Sequence, residues 1–172
     1  MVFITVLRAI ASLPLPYKRI YTSIKGVFVM DQEKKLIYRA GLIPYIVENG
    51  TVLMMFMRPS DPDFGGDKFQ IAKGKVESGE THLVAALREA AEEIGLFRGN
   101  VILTEEVGTF MGRTTVYVAK VKDKNMFGEP SFETASVQWM TIEQFLAHGR
   151  DLHKPVVQAA YRKVLKIEEN HK

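Results

Sequence analysis

An α+β fold is what this 172-residue sequence predicts: a mixed β-sheet held between helices as an α/β/α sandwich. Strand-like and helix-period segments follow one another without strict alternation, which rules against an all-parallel doubly wound sheet. The length suits one sizeable domain, and 47% apolar with 25% charged residues is an ordinary globular balance. Two hairpin turns mark antiparallel pairs inside the sheet.

Residues 1–35 read as an accessory segment ahead of a main domain at 36–172. Its start, residues 1–16, is apolar, but Arg8 interrupts it, Pro14 and Pro16 end it, and no basic stretch leads in. That argues against a signal peptide, and the expectation is a short helix or arm packed on the domain, in a cytoplasmic protein. No stretch approaches the roughly 20 apolar residues of a membrane span.

Residues 36–47 and 51–57 are strand-like, with Glu48-Asn49-Gly50 as the hairpin turn between them. The run PSDPDFGGDK within 58–68 is a loop, 69–72 a short extended piece, and 73–79 a glycine-punctuated loop. Residues 81–94 carry the helical period. Leu83, Val84, Leu87, Ala90, Ala91 and Ile94 gather on one stripe, with Arg88, Glu89, Glu92 and Glu93 opposite. Gly95 suits a left-handed cap. Residues 101–110 and 113–122 form a second strand pair, turning near Met111-Gly112, and 137–140 a last short strand. A helix starting at Thr141, with Glu143 close behind, covers 141–146; a final helix with Pro in its first turn covers 155–167.

With no cysteine, thiolate metal sites, disulfides and cysteine nucleophiles are excluded. Any metal must be held by oxygen or imidazole. The net charge of +3 comes from scattered Lys and Arg, which tolerates an anionic ligand but equally describes a solvated surface. His82 opens the helix and is expected to face solvent. His148, His153 and His171 lack the spacing of ligands.

Glu89, Glu92 and Glu93 stand at i, i+3 and i+4, so their carboxylates share a helix face. Like charges at that spacing cost a few tenths of a kcal/mol per pair, and the helix C-terminus disfavours anions further. Two readings follow: an acidic face neutralised by Arg88, or a site for a hard divalent ion such as Mg2+.

The stretch GKVESGETHLVAALREAAEEIGL, residues 74–96, resembles the Nudix box G-x5-E-x7-R-E-U-x-E-E-x-G-U, U being a bulky aliphatic. Gly74, Glu80, Arg88, Glu89, Glu92, Glu93 and Gly95 match every fixed letter, and Leu96 fits the last U. Ala90 is smaller than the usual first U, so a repacked core is expected there. The resemblance implies a loop–helix–loop beside a mixed sheet and one to three Mg2+ or Mn2+ ions. They would be held by Glu89, Glu92, Glu93 and the carbonyl of Gly74. Arg88 would orient a glutamate, Glu80 would brace the loop, and Gly79 and Gly95 would turn the backbone at positive φ.

The segment GEPSFETASVQWM, residues 128–140, is similar to a late stretch of these enzymes in which a loop acid precedes a Trp-bearing strand. Glu133, six residues before Trp139, is the candidate loop acid. It would serve as general base in place of Glu93, or as an added ligand. Trp139 reads as a core residue. Lys73, Lys75 and Arg58 are the candidate substrate-binding cations, set to offset pyrophosphate charge.

The lead-in FGGDKFQIAKG resembles the W-x-x-P-K-G of dinucleoside polyphosphate hydrolases and of related enzymes acting on inositol pyrophosphates or RNA 5′ ends. Phe69 stands for the Trp and Ala72 for the Pro. The proline expected past the box in many ADP-ribose hydrolases is missing, and the tyrosine of dinucleoside polyphosphate hydrolases is present only out of place, as Tyr117. The expected activity is metal-dependent hydrolysis of a phosphoanhydride bond, with a dinucleoside polyphosphate first, then nucleoside triphosphates, then ADP-ribose. An RNA 5′ end is the one nucleic-acid partner left open, and a homodimer is left open too. The competing class is a Nudix-fold nucleotide-binding module without turnover. Such modules typically lose box glutamates, whereas this chain keeps them all.

Overall fold

The computed structural model describes residues 21–24, 27–30, 36–64 and 66–170. The arm expected at residues 1–16, and His171, lie outside them. Two units are distinguished, 1–36 and 37–172. In the first, β1 (Tyr21–Ile24) pairs antiparallel with β2 (Val27–Met30).

The second unit is built on β3 (Arg39–Glu48), which has three partners. Its end pairs antiparallel with β4 (Thr51–Pro59) through a turn in which Asn49 and Gly50 have φ of 50° and 78°. Two consecutive positive φ values are what a tight hairpin needs, and Asn-Gly tolerates them. The start of β3 pairs antiparallel with β5 (Ala72–Lys75), and its other edge pairs in parallel with β7 (Thr114–Val121). β6 (Val101–Phe110) and β8 (Thr134–Met140) complete a mixed sheet in the order β6-β7-β3-β4-β8, with β5 beside β3. The helices are α1 (His82–Ile94), α2 (Ile142–His148) and α3 (Lys154–Asn170).

Strand alternation splits the core in two. Ala40, Leu42, Met55, Met57, Tyr117 and Ala119 face α1; Ile43, Tyr45, Met54, Phe56, Val116 and Val118 face α2 and α3. The α/β/α sandwich is therefore present.

Two local expectations need correction. The buried residues of α1 are Ala85, Ala86, Ala90 and Ile94, whereas Val84 and Ala91 are exposed. The helix approaches the sheet through small side chains, so its contact stripe is rotated from the bulky residues that periodicity weights most. Thr141 caps α2 as expected, with Glu143 in its first turn, and Gln144 completes a capping box. β8 begins three residues before the expected Val137.

A polar network ties α3 to the sheet. The Tyr45 hydroxyl donates to Glu168 at 2.9 Å, and Lys120 donates to both oxygens of that carboxylate at 2.9 and 2.8 Å. Burial, reinforced by Glu168, raises the Tyr45 pKa and keeps it a donor.

His153 is fully buried, and its Nδ1 accepts the Ile71 N–H at 3.1 Å. Burial, with help from Lys73 and Arg150, lowers its pKa to about 3. A base whose folded pKa is depressed favours the unfolded state once the unfolded chain takes up a proton. Stability from neutral His153 is therefore present above about pH 6.5 and lost as pH falls towards 3. His153→Gln keeps an acceptor without titrating there. Between pH 7 and pH 5 the wild type should lose about 2 kcal/mol relative to this variant in parallel denaturant melts. A pH-independent difference would contradict this account.

Candidate active site

β5, α1 and the turns around them form the loop–helix–loop. Gly79 turns the chain at a φ of 88°, and Thr81 caps α1 by accepting the Val84 N–H at 3.2 Å. At the other end Gly95 is left-handed at φ 68°, its N–H on the Ala91 carbonyl at 3.1 Å. Glycine is needed there twice over, because a Cβ on Gly95 would stand 2.0 Å from the Gly128 carbonyl oxygen. Ala90 is fully buried in a cluster whose larger members include Tyr117, Met55, Met57, Leu42 and Ile94.

The acids of α1 reach β5 in two ways, Glu93 along the edge that β3 does not pair and Glu89 over the face towards α1. Glu93 Oε2 accepts the Lys73 backbone N–H at 2.7 Å. The Glu89 carboxyl lies over Gly74 so closely that a Cβ there would stand 2.0 Å from it. The helix spacing brings Glu92 to the same face, with its side chain 55% exposed. Burial raises the pKa of Glu93 to about 7 and raises that of Glu89 as well.

Arg88 organises this face. Its guanidinium donates to both Glu80 oxygens at 2.8 and 3.0 Å, to Glu89 at 2.8 Å, to Glu92 at 3.4 Å and to the Lys75 carbonyl at 2.9 Å. Glu80 also accepts the Glu77 N–H at 3.0 Å, and the Arg88 hydrogen bond holds its pKa down at about 2. One Arg–Glu pair thus staples the turn before α1 to the helix.

Oxygen donors without sulfur or free imidazole suit Mg2+ or Mn2+. Gly74 also leaves room for a carboxylate against the backbone. Among the described residues no three acids or histidines converge on one point, because Arg88 stands between Glu89 and Glu92. The donor set fits a divalent ion in chemistry, and Arg88 offsets part of the charge of the carboxylates.

Lys73 and Lys75 lie on the sheet face opposite α1, paired with Gly41 and Arg39 of β3. Burial lowers the Lys73 pKa; Glu93 opposes the shift, while Arg39 and Arg150 reinforce it. Arg58 is exposed near the end of β4. The structure thus adds Arg39 and Arg150 to the cations near Lys73. Arg39 opens β3 and carries no motif. Arg150 lies 77 positions on from Lys73 (150 minus 73), beyond any local spacing signal. His82 differs from expectation: it is half-buried, with Nδ1 3.4 Å from the Thr115 hydroxyl and its ring against Tyr38.

The loop before β8 is tied to the end of α1. Ser131 N–H donates to the Glu92 carbonyl at 2.8 Å, the Thr134 hydroxyl to the Glu93 carbonyl at 2.7 Å, and Ser60 N–H to the Glu133 carbonyl at 2.8 Å. Glu133 is exposed, and its charge acts on Glu93. The Trp139 indole donates to the Lys124 carbonyl at 3.2 Å and meets the Phe127 ring edge-on, a packing role.

A family model described as NUDIX domain matches residues 36–161. The asymmetrical bis(5′-nucleosyl)-tetraphosphatase of Sus scrofa is 30% identical over 137 residues, covering 74% of this chain and 90% of that protein. The protein of the same name in Mus musculus is 31% identical over 117 residues, covering 63% and 77%. Among solved structures, a C. elegans Ap4A hydrolase binary complex superposes with a TM-score of 0.62 at 18% identity, covering 76% of this chain and 99% of that one. The NUDIX domain of Shewanella oneidensis NrtR, solved with ADP ribose, gives 0.62 at 12%, covering 76% and 90%. Both structural likenesses show the fold. The chain belongs to the Nudix family, as a pyrophosphohydrolase of nucleotides related to the dinucleoside polyphosphate hydrolases.

Proposed function

We propose that this enzyme hydrolyses a phosphoanhydride bond of a dinucleoside polyphosphate with Mg2+ or Mn2+, through a hydrolase domain at 36–172. The observation that carries it is the meeting at β5: the Glu93 carboxylate on its free edge, Glu89 over Gly74 on the face towards α1, and Lys73 and Lys75 on the opposite face. A polyanion cleaved by water needs both. The tetraphosphatase relatives support the choice of substrate.

Glu89, Glu92, Glu93 and the Gly74 carbonyl would hold the metal, which supplies Lewis-acid charge and acidifies water. Arg88 keeps the glutamates in register. Lys73 and Lys75 hold substrate phosphate, with Arg58 at the rim. A carboxylate, Glu133 or Glu93, takes the proton from the attacking water. Among the described residues no helix is long and apolar enough to cross a membrane. We place the enzyme in the cytoplasm, with residues 1–35 as an accessory segment.

A chromatographic assay over a nucleotide panel with Mg2+ or Mn2+ tests this. The kcat/KM for a dinucleoside tetraphosphate should exceed those for nucleoside triphosphates and ADP-ribose by roughly tenfold or more, and chelation should abolish turnover. Preference for ADP-ribose or a triphosphate would overturn the substrate. Lys73→Ala should raise KM more than it lowers kcat, because a cation that grips ground state and transition state alike gives uniform binding. An unchanged KM would return Lys73 to the general surface.

A further inference from the structure

The sheet face that buries Ile43, Tyr45 and Ile71 under α2 and α3 changes character towards the start of β3. Alternation carries the same face from Tyr45 and Ile43 through Gly41 to exposed Arg39. The β3–β5 register sets Lys73 beside Gly41 and Lys75 beside Arg39. Gly41 is the floor of this end: a Cβ there would stand 2.9 Å from Lys73 Cβ and from the Ala72 carbonyl.

Arg150 joins from the connection between α2 and α3. Its backbone N–H donates to the Phe69 carbonyl at 2.8 Å, and its guanidinium to Gln70 Oε1 at 3.3 Å. It is thereby fixed beside the segment entering β5. Arg39 and Arg150 both repel the Lys73 ammonium, which Glu93 and Glu89 attract from the acid side.

Among the described residues, none of Arg39, Lys73, Lys75 and Arg150 has a carboxylate within ion-pair distance. Lys68, Arg88, Lys120, Lys124, Lys154 and Lys163 all do. Cations crowded without a direct ion pair repel one another until an anion arrives, Glu93 offsetting this in part at Lys73, and a guanidinium fork matches phosphate oxygens. The acids work at the free edge of β5, and this cationic end begins at the same strand. A chain whose scissile diphosphate lies at the acids has further phosphates to place, and the unpaired cations lie beside that strand.

We propose that Arg39 and Arg150, with Lys73, form a subsite for the outer phosphates of the substrate, so that chains of three or more phosphates are selected over diphosphates. This rests on placing hydrolysis at the acid edge of β5.

The test is calorimetric titration of the full chain with inorganic tripolyphosphate and with pyrophosphate, metal-free and at fixed ionic strength. Wild type should bind tripolyphosphate about tenfold more tightly than pyrophosphate. Arg39→Gln and Arg150→Gln should each weaken tripolyphosphate roughly tenfold and pyrophosphate by less than about threefold. Arg98→Gln, in an exposed turn beyond α1, should change neither. Arg39 is exposed with no side-chain hydrogen bond among the described residues, so its variant tests the subsite even if Arg150→Gln disturbs the fold. Unchanged tripolyphosphate affinity in Arg39→Gln, or equal losses for the two anions, overturns the subsite. Turnover of a dinucleoside tetraphosphate is scored separately. Turnover with no variant effect on tripolyphosphate keeps the hydrolase reading and removes the subsite; length selection without turnover does the reverse.

Discussion

Glu93→Gln and Glu92→Gln should each lower kcat by a hundredfold or more, on the order of 3 kcal/mol of barrier, while the fold persists. For Glu93 the structure separates the two effects. Its carboxylate accepts the Lys73 N–H, and the amide oxygen of Gln can accept the same bond, so the anchor of β5 survives. What disappears is negative charge where the substrate phosphate and its counter-ion would meet. Removing a buried carboxylate with a raised pKa should also leave the melting temperature unchanged or higher. Glu92 is more exposed, and its Gln variant loses only a long contact from Arg88. Steady-state rates with Mg2+ titrated to saturation decide the matter. Near-wild-type kcat in either variant takes that residue out of the site.

What made these acids legible in the sequence is that their relation is local. A helix brings i, i+3 and i+4 to one face whatever surrounds it. Turns are equally local: Asn49-Gly50 and Gly95 adopt the positive φ values that their residue types allow. The buried stripe of α1 was less legible, because hydrophobic weight favours Val84 over Ala85, whereas packing against a sheet favours the smaller residue. Long-range relations left no trace. Nothing near Arg150 or His153 says that one donates to Gln70 and the other accepts from Ile71, some 80 residues earlier. The need for glycine at 95 has a local cause, the cap, and a distant one, the Gly128 carbonyl; only the first was visible.

The largest effect outside α1 is expected from Glu133→Gln. A glutamate that holds a metal makes a poor base, since the ion favours its charged form. An acid nearby but off the helix escapes that constraint. Glu133 meets the condition: exposed, electrostatically coupled to Glu93, and carried on a loop bonded to the Glu92 and Glu93 carbonyls. Those bonds make the loop part of the scaffold and not a free lid, so a base there is pre-positioned. Glu133→Gln should lower kcat about a hundredfold, with the Mg2+ concentration for half-maximal rate unchanged. Thr134→Val removes the hydroxyl bond to Glu93 while sparing the acid, and should lower kcat only severalfold. Rate recovered in Glu133→Gln at high Mg2+ would make Glu133 a metal ligand instead. Wild-type kcat in Glu133→Gln, beside a silenced Glu93→Gln, would put the base on the helix.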